Sequence, residues 1–133
     1  MKNYSIKKKI INAPISIGEL IDKITILEIK KNKLQNSKLE NVLKELSFLR
    51  KLIAKHQIEI TDNLFTQLKE INLKLWNIED QIRKKEKNKE FDNIFVELAR
   101  SVYFTNDKRS EIKIRINRFS NSEITEEKSY AEY

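Results

Sequence analysis

The sequence predicts an all-α domain, a bundle of four to five helices with a long antiparallel helical hairpin and an extended N-terminal arm. Three observations carry this. Apolar residues recur at three- and four-residue steps over most of the chain, capping signals stand ahead of those runs, and 133 residues contain one glycine and one proline. A chain so poor in turn formers has few long loops.

The elements follow in order. Tyr4 to Ala13 holds lysines and β-branched residues without helical period, which predicts an extended arm or edge strand. Ser16 and Glu19 form a capping box, with Ile15 and Leu20 spaced as a hydrophobic staple, so helix one begins at Ile17. Its apolar positions Ile17, Leu20, Ile21, Ile24, Leu27 and Leu34 share a face that Ile26 and Ile29 widen, which predicts a helix covered on more than one side. Ser37 and Glu40 repeat the box ahead of a stripe from Leu39 to Ile53, predicting helix two from Lys38. Thr61 or Asp62 caps helix three, where Leu64, Leu68, Ile71, Leu75, Ile78 and Ile82 predict a straight seam to Lys87, roughly 37 Å long. Phe91, Ile94, Phe95, Leu98, Ala99 and Val102 define helix four. Asn106 or Asp107 caps a fifth helix, or the chain continues helically to Phe119.

Helices two and three, joined by about half a dozen residues, are expected to pair antiparallel against helices one and four. Residues 1–133 thus form one domain: arm 1–15, helical body 16–119 and acidic tail 120–133. The tail either docks on the basic body or stays disordered, and Tyr130 and Tyr133 favour docking.

Composition removes several function classes. Without cysteine there are no disulfides, thiolate metal sites or thiol nucleophiles, and one histidine cannot supply an imidazole pair. One glycine excludes a Gly-rich phosphate loop. No apolar run approaches the ~20 residues of a membrane span. Lys7 to Lys9 before Ile10 imitates a signal peptide, but Asn12, Pro14, Ser16 and Glu19 interrupt the apolar stretch, so a cytoplasmic protein is expected.

Lysine and arginine outnumber acids 27 to 20, a net charge of +7. Lysine, isoleucine and asparagine are abundant together, as AT-rich codons would make them, so the excess does not by itself select nucleic acid. Arginine placement is more telling, since arginine suits planar phosphate recognition. Four of the six arginines lie from Arg100 to Arg118. Within that stretch Asn106 and Asp107 would stand at a helix start, and Arg109 and Lys113, four apart, share a helical face. With Arg100 they make a candidate anion site, and the plain alternative is an N-cap followed by a solvated basic face. Glu19 and Asp22, three apart like Glu123 and Glu126, suggest magnesium ligands only faintly, and no metal site or cofactor is expected. His56 lacks the glutamate three residues earlier that a di-iron bundle needs, and reads as a helix-end cation. Phe65, Leu73 and Trp76 lie off the helix-three seam and predict an interface in a homo-oligomer.

Two stretches, APISIGELIDKITILEIKKNKL at 13–34 and LARSVYFTNDKRSEIKIRIN at 98–117, with EEKSY at 126–130, resemble a family of small uncharacterised proteins. That family is classed as a domain of unknown function, in marine bacteria and phages of marine hosts. The resemblance implies no activity, substrate or catalytic residue. The leading expectation is a binding or assembly module that self-associates and contacts an anionic or phosphorylated partner through Arg100, Arg109 and Lys113. Two alternatives stand beside it. One is a small enzyme acting on a phosphorylated metabolite or nucleotide sugar with Asp107 as acid or base, and the other, not favoured, is a nonspecific nucleic-acid binder. An enzyme needs a concave polar pocket joining Asp107 to the arginines, whereas a module needs an apolar patch.

Overall fold

The computed structural model describes residues 7–133, so the first six residues of the expected arm lie outside the described residues. Four helices follow: α1 (Ile17–Lys33), α2 (Asn36–Lys55), α3 (Asp62–Lys87) and α4 (Asn93–Phe119). There is no strand among the described residues, and residues 7–15 carry no regular structure. Among those residues no helix is long and apolar enough to cross a membrane.

The caps explain most of the boundaries. Ser16 accepts from the Glu19 amide at 3.0 Å, Thr61 from Leu64 at 3.2 Å and Asp92 from Phe95 at 2.9 Å, so three helices begin on a side-chain oxygen. α2 does not. Its N-cap is Gln35, which makes no side-chain cap bond, and Ser37 already lies inside the helix. The second capping box is therefore not used, because helix α2 starts two residues early, on Asn36 with a positive φ of 58°. At the other ends Gln57, Lys89 and Asn121 also adopt positive φ. There the amides of Ile58, Glu90 and Ser122 reach back to the carbonyls of Ile53, Lys85 and Asn117 at 3.1, 2.9 and 2.9 Å, closing Schellman-type turns. Glycine is the usual residue for such turns, and this chain uses its one glycine elsewhere.

α1 is the hub. It packs on each of the other three helices, and Leu20, Ile21, Ile24 and Leu27 meet Val42 and Leu46 of α2, Leu68 of α3, and Ile112 and Ile116 of α4 in one core. The expected pairing of α2 with α3 is not found. Those two helices make no close backbone approach; α2 packs on α1, and α3 packs along α4, to which residues 88–92 join it. The apolar surface of α1 is wide enough to separate the two stripes that periodicity alone would have paired. α4 runs unbroken through residues 93–119, so no fifth helix starts at Asn106 or Asp107. Ile112 and Ile116, both buried, hold that half of the helix on the core.

Because only Ser16 caps its helix, the two serines should respond differently to truncation. Ser16→Ala is expected to destabilise the fold by about 1 kcal/mol or more, and Ser37→Ala by less than about 0.5 kcal/mol, in urea titrations followed by circular dichroism. Equal losses would contradict the assignment of the caps.

Candidate functional site

Ser16, Asp22, Thr25 and Asn117, four of the buried polar residues, lie along the seam where the first half of α1 meets the second half of α4, and Asn72 joins them from α3. Asp22 is 1% exposed. A carboxylate so buried needs compensating partners, and two other residues supply them. Arg109 of α4 donates from Nε to Asp22 Oδ1 at 2.9 Å and from Nη2 to Oδ2, a bidentate pair. Asn72 of α3 donates to Oδ1 at 2.9 Å and to Thr25 Oγ1 at 2.8 Å, while the Thr25 hydroxyl donates to the Asp22 carbonyl at 2.7 Å. Hydrogen bonding to Asp22 raises the pKa of Arg109 above its ordinary value, outweighing the opposing effect of burial.

One turn back along α1, the pairing repeats. Lys113 Nζ donates to Glu19 Oε2 at 2.6 Å. Residues three apart on α1 thus meet residues four apart on α4, the register of two helices running antiparallel. Close approach at this end depends on Gly18. A Cβ there would stand 2.6 Å from the Lys113 carbonyl and 2.8 Å from Asn117 Oδ1, inside contact distance. With no side chain in the way, the Gly18 amide donates to Asn117 Oδ1 at 2.6 Å, and Ile17 donates to Ser122 Oγ at 3.0 Å.

The tail closes the seam. The Ser16 hydroxyl donates to Glu126, so a carboxylate stands at the start of α1, where the helix dipole favours negative charge. Burial works against that charge, but the Ser16 hydroxyl, the residue's own backbone, Lys113 and Asn117 together hold the Glu126 carboxyl below its ordinary 4.5. Farther along, the Tyr133 ring packs on Tyr103 and Phe104, with centroids 5.2 and 4.9 Å away, and its hydroxyl donates to Asp107. Accepting that hydrogen bond, Asp107 pushes the Tyr133 phenol up to about 12.

The five residues of the expected anion site do not converge. Arg109 and Lys113 do share a face, yet each holds a carboxylate of α1. Arg100 is exposed, pairs with Glu97 at 3.1 Å and lies over the Phe104 ring at 5.7 Å. In an unbroken helix it stands about 13 Å along the axis from Arg109. Asn106 and Asp107 sit in mid-helix, where backbone amides are already bonded, so they present no helix start to an anion. Glu19 and Asp22, weighed above as metal ligands, are each bound to a cation. Of the expected interface residues, Phe65 packs against the core, Leu73 is exposed, and Trp76 is half-buried with Lys33 Nζ 5.9 Å from its ring centre. A cavity of about 1140 Å³ lies elsewhere, lined by Ile10, Ile15, Phe48, Leu52 and Phe119 among others, and none of the five anion-site residues borders it.

Gly18, Thr25, Asn72, Asn117 and Ser122 were not singled out from the sequence. One signal was there to read: a lone glycine in the first turn of a helix marks a place where another backbone comes close.

Acid should release the tail before it unfolds the helices. The folded Glu126 carboxyl lies below 4.5, so its contribution is complete above that value and fades as pH falls through and below it. Lys113 faces the same carboxylate while also holding Glu19, and Asp107 holds the far end. Ring-proton NMR of Tyr133 is expected to show the aromatic packing lost on acidification while far-ultraviolet circular dichroism persists. In Glu126→Gln the packing should already be weakened at neutral pH, and unchanged packing there would contradict the assignment.

No curated protein and no solved structure matches this chain. A family model does match, over residues 9–133, a span that takes in all four helices, the polar seam and the tail. The chain belongs to the family of unknown function DUF6165.

Proposed function

We propose that this protein is an assembly module, in which the α3–α4 pair joins that of a second copy. The carrying observation is a missing layer. α1 ends at Lys33, beside Trp76, while α3 continues to Lys87 and α4 returns from Asn93. Beyond the end of α1 the two helices, among the described residues, have only each other, and no residue from 79 to 104 is buried. Phe91, Ile94 and Val96 are exposed at 57, 60 and 48%, with Phe95 edge-on to Phe91 at 5.3 Å and Ile82, Leu98 and Val102 half-covered. Two helices cannot bury their apolar faces alone; a second pair completes a four-helix bundle.

Charge supports a second copy as the occupant. Residues 79–98 hold five cations and six acids, so the tip is nearly neutral although the whole chain is strongly basic. Lys85 is bound to Glu90 and Asp92 at 2.9 Å each, and Arg83 to Glu79 at 3.2 Å. A nucleic acid finds no net cationic surface there, whereas two such tips meet without net repulsion. Twenty residues per copy is also about what a standard interface uses on each side. A joint grip of Arg100, Arg109 and Lys113 on one anion loses its footing, since each of the three holds a different carboxylate.

Light scattering at high micromolar concentration is expected to return twice the 15.9 kDa chain mass. Ile94→Glu and Phe91→Glu should each return the single mass with helicity intact. A wild-type monomer, or a dimer indifferent to both substitutions, would overturn the proposal.

A further inference from the structure

The tail is more than a cover for the seam. Between Glu126 on Ser16 and Tyr133 on Tyr103, Phe104 and Asp107 lie seven residue steps, about 23 Å of extended chain. From Asn117 to Phe104 α4 rises about 20 Å. The two lengths agree, so residues 126–133 run extended along α4 with an anchor at each end, and no helix or strand of their own holds them there.

At the first anchor the donor set is built into the body. Ser16 is 1% and Asn117 3% exposed, and Lys113 reaches the same place from α4. Asn117 spends its oxygen on the Gly18 amide. Its Nδ2 is buried without a hydrogen-bond partner, although the amide faces the Glu126 carboxylate closely enough to help keep it ionised. A buried N–H group without an acceptor is costly, so this anchor holds one donor that the tail leaves unused. At the second anchor two exposed aromatic rings and the Asp107 carboxylate accept a tyrosine.

We propose that this track, from Ser16, Lys113 and Asn117 to Tyr103, Phe104 and Asp107, is a receptor for an acidic extended peptide that carries a glutamate seven residues ahead of a tyrosine. The chain's own tail fills it in cis. Tethered at the millimolar effective concentration of a short linker, the tail keeps free ligands of similar affinity out, and a partner enters by displacing it.

The probe is a fluorescently labelled peptide of residues 122–133, and the receptors are the full-length wild type and the full-length Glu126→Gln/Tyr133→Ala double variant. The peptide is expected to bind the double variant at least about tenfold more tightly than the wild type, because the competing tail has been weakened. Replacing the peptide's own first-anchor glutamate by glutamine should remove binding, as should Lys113→Gln in the receptor, with circular dichroism confirming that the helices remain. Equal affinity for the two receptors, no saturable binding to the double variant up to about 1 mM, or a glutamine peptide that binds as well as the parent would each overturn the proposal. The glutamine peptide decides the matter even if Lys113→Gln fails to fold.

Discussion

One buried carboxylate constrains the whole architecture. Asp22 lies on the most buried helix of the fold, and an ionised group there, left without partners, would cost several kcal/mol. Its partners come from two other helices, Arg109 from α4 and Asn72 from α3. Any packing that slides α4 by one turn, or rotates α3 away, leaves the charge uncompensated. Apolar contacts alone tolerate such slips, because leucine and isoleucine side chains re-pack. The polar seam therefore selects one register among several that would bury similar apolar area. Glu19 with Lys113, and Gly18 beneath the Lys113 carbonyl, fall into place once that register is set.

The same constraint determines what is left over. α1 has 17 residues, against 26 in α3 and 27 in α4, and its register on α4 is fixed near one end. The longer pair must then project beyond it, which is why the apolar face around Phe91 and Ile94 has no third layer among the described residues. At the opposite end the start of α1 presents a positive dipole and a serine hydroxyl, and the tail's Glu126 fills that place. The projecting tip and the tethered tail thus follow from a single helical register, one as an uncovered surface and the other as an occupied one.

Local signals were the legible part of the sequence. Ser16 and Thr61 announced their helices because a cap is a contact between residues three apart, and the seam from Leu64 to Ile82 announced α3 because periodicity is a property of one helix. Partnership was not legible. The stripes of α2 and α3 are equally good partners for each other and for α1, and nothing within either stripe says which. Asn106 and Asp107 carry the composition of a cap, yet the burial of Ile112 and Ile116 on the core outweighs that weak preference and carries the helix through them. The shared face of Arg109 and Lys113 was read correctly, and so was the shared spacing of Glu19 and Asp22. What spacing cannot give is that these two pairs face each other, which turns a would-be ligand site into an internal clamp.

The most direct measurement of that clamp is a double-mutant cycle on Asp22 and Arg109, using Asp22→Ala, Arg109→Ala and the double variant in urea unfolding. Losing Arg109 strands the buried Asp22 carboxylate, and Arg109→Ala is expected to lose about 3–5 kcal/mol; Asp22→Ala leaves an arginine whose side chain is 28% exposed and is expected to lose less. The double variant, with no charge left to strand, is expected to lose no more than the worse single variant, a coupling of about 2 kcal/mol or more. Additive losses, with the double variant falling by the sum of the two, would mean that the pair does not set the register and would contradict this account of the fold.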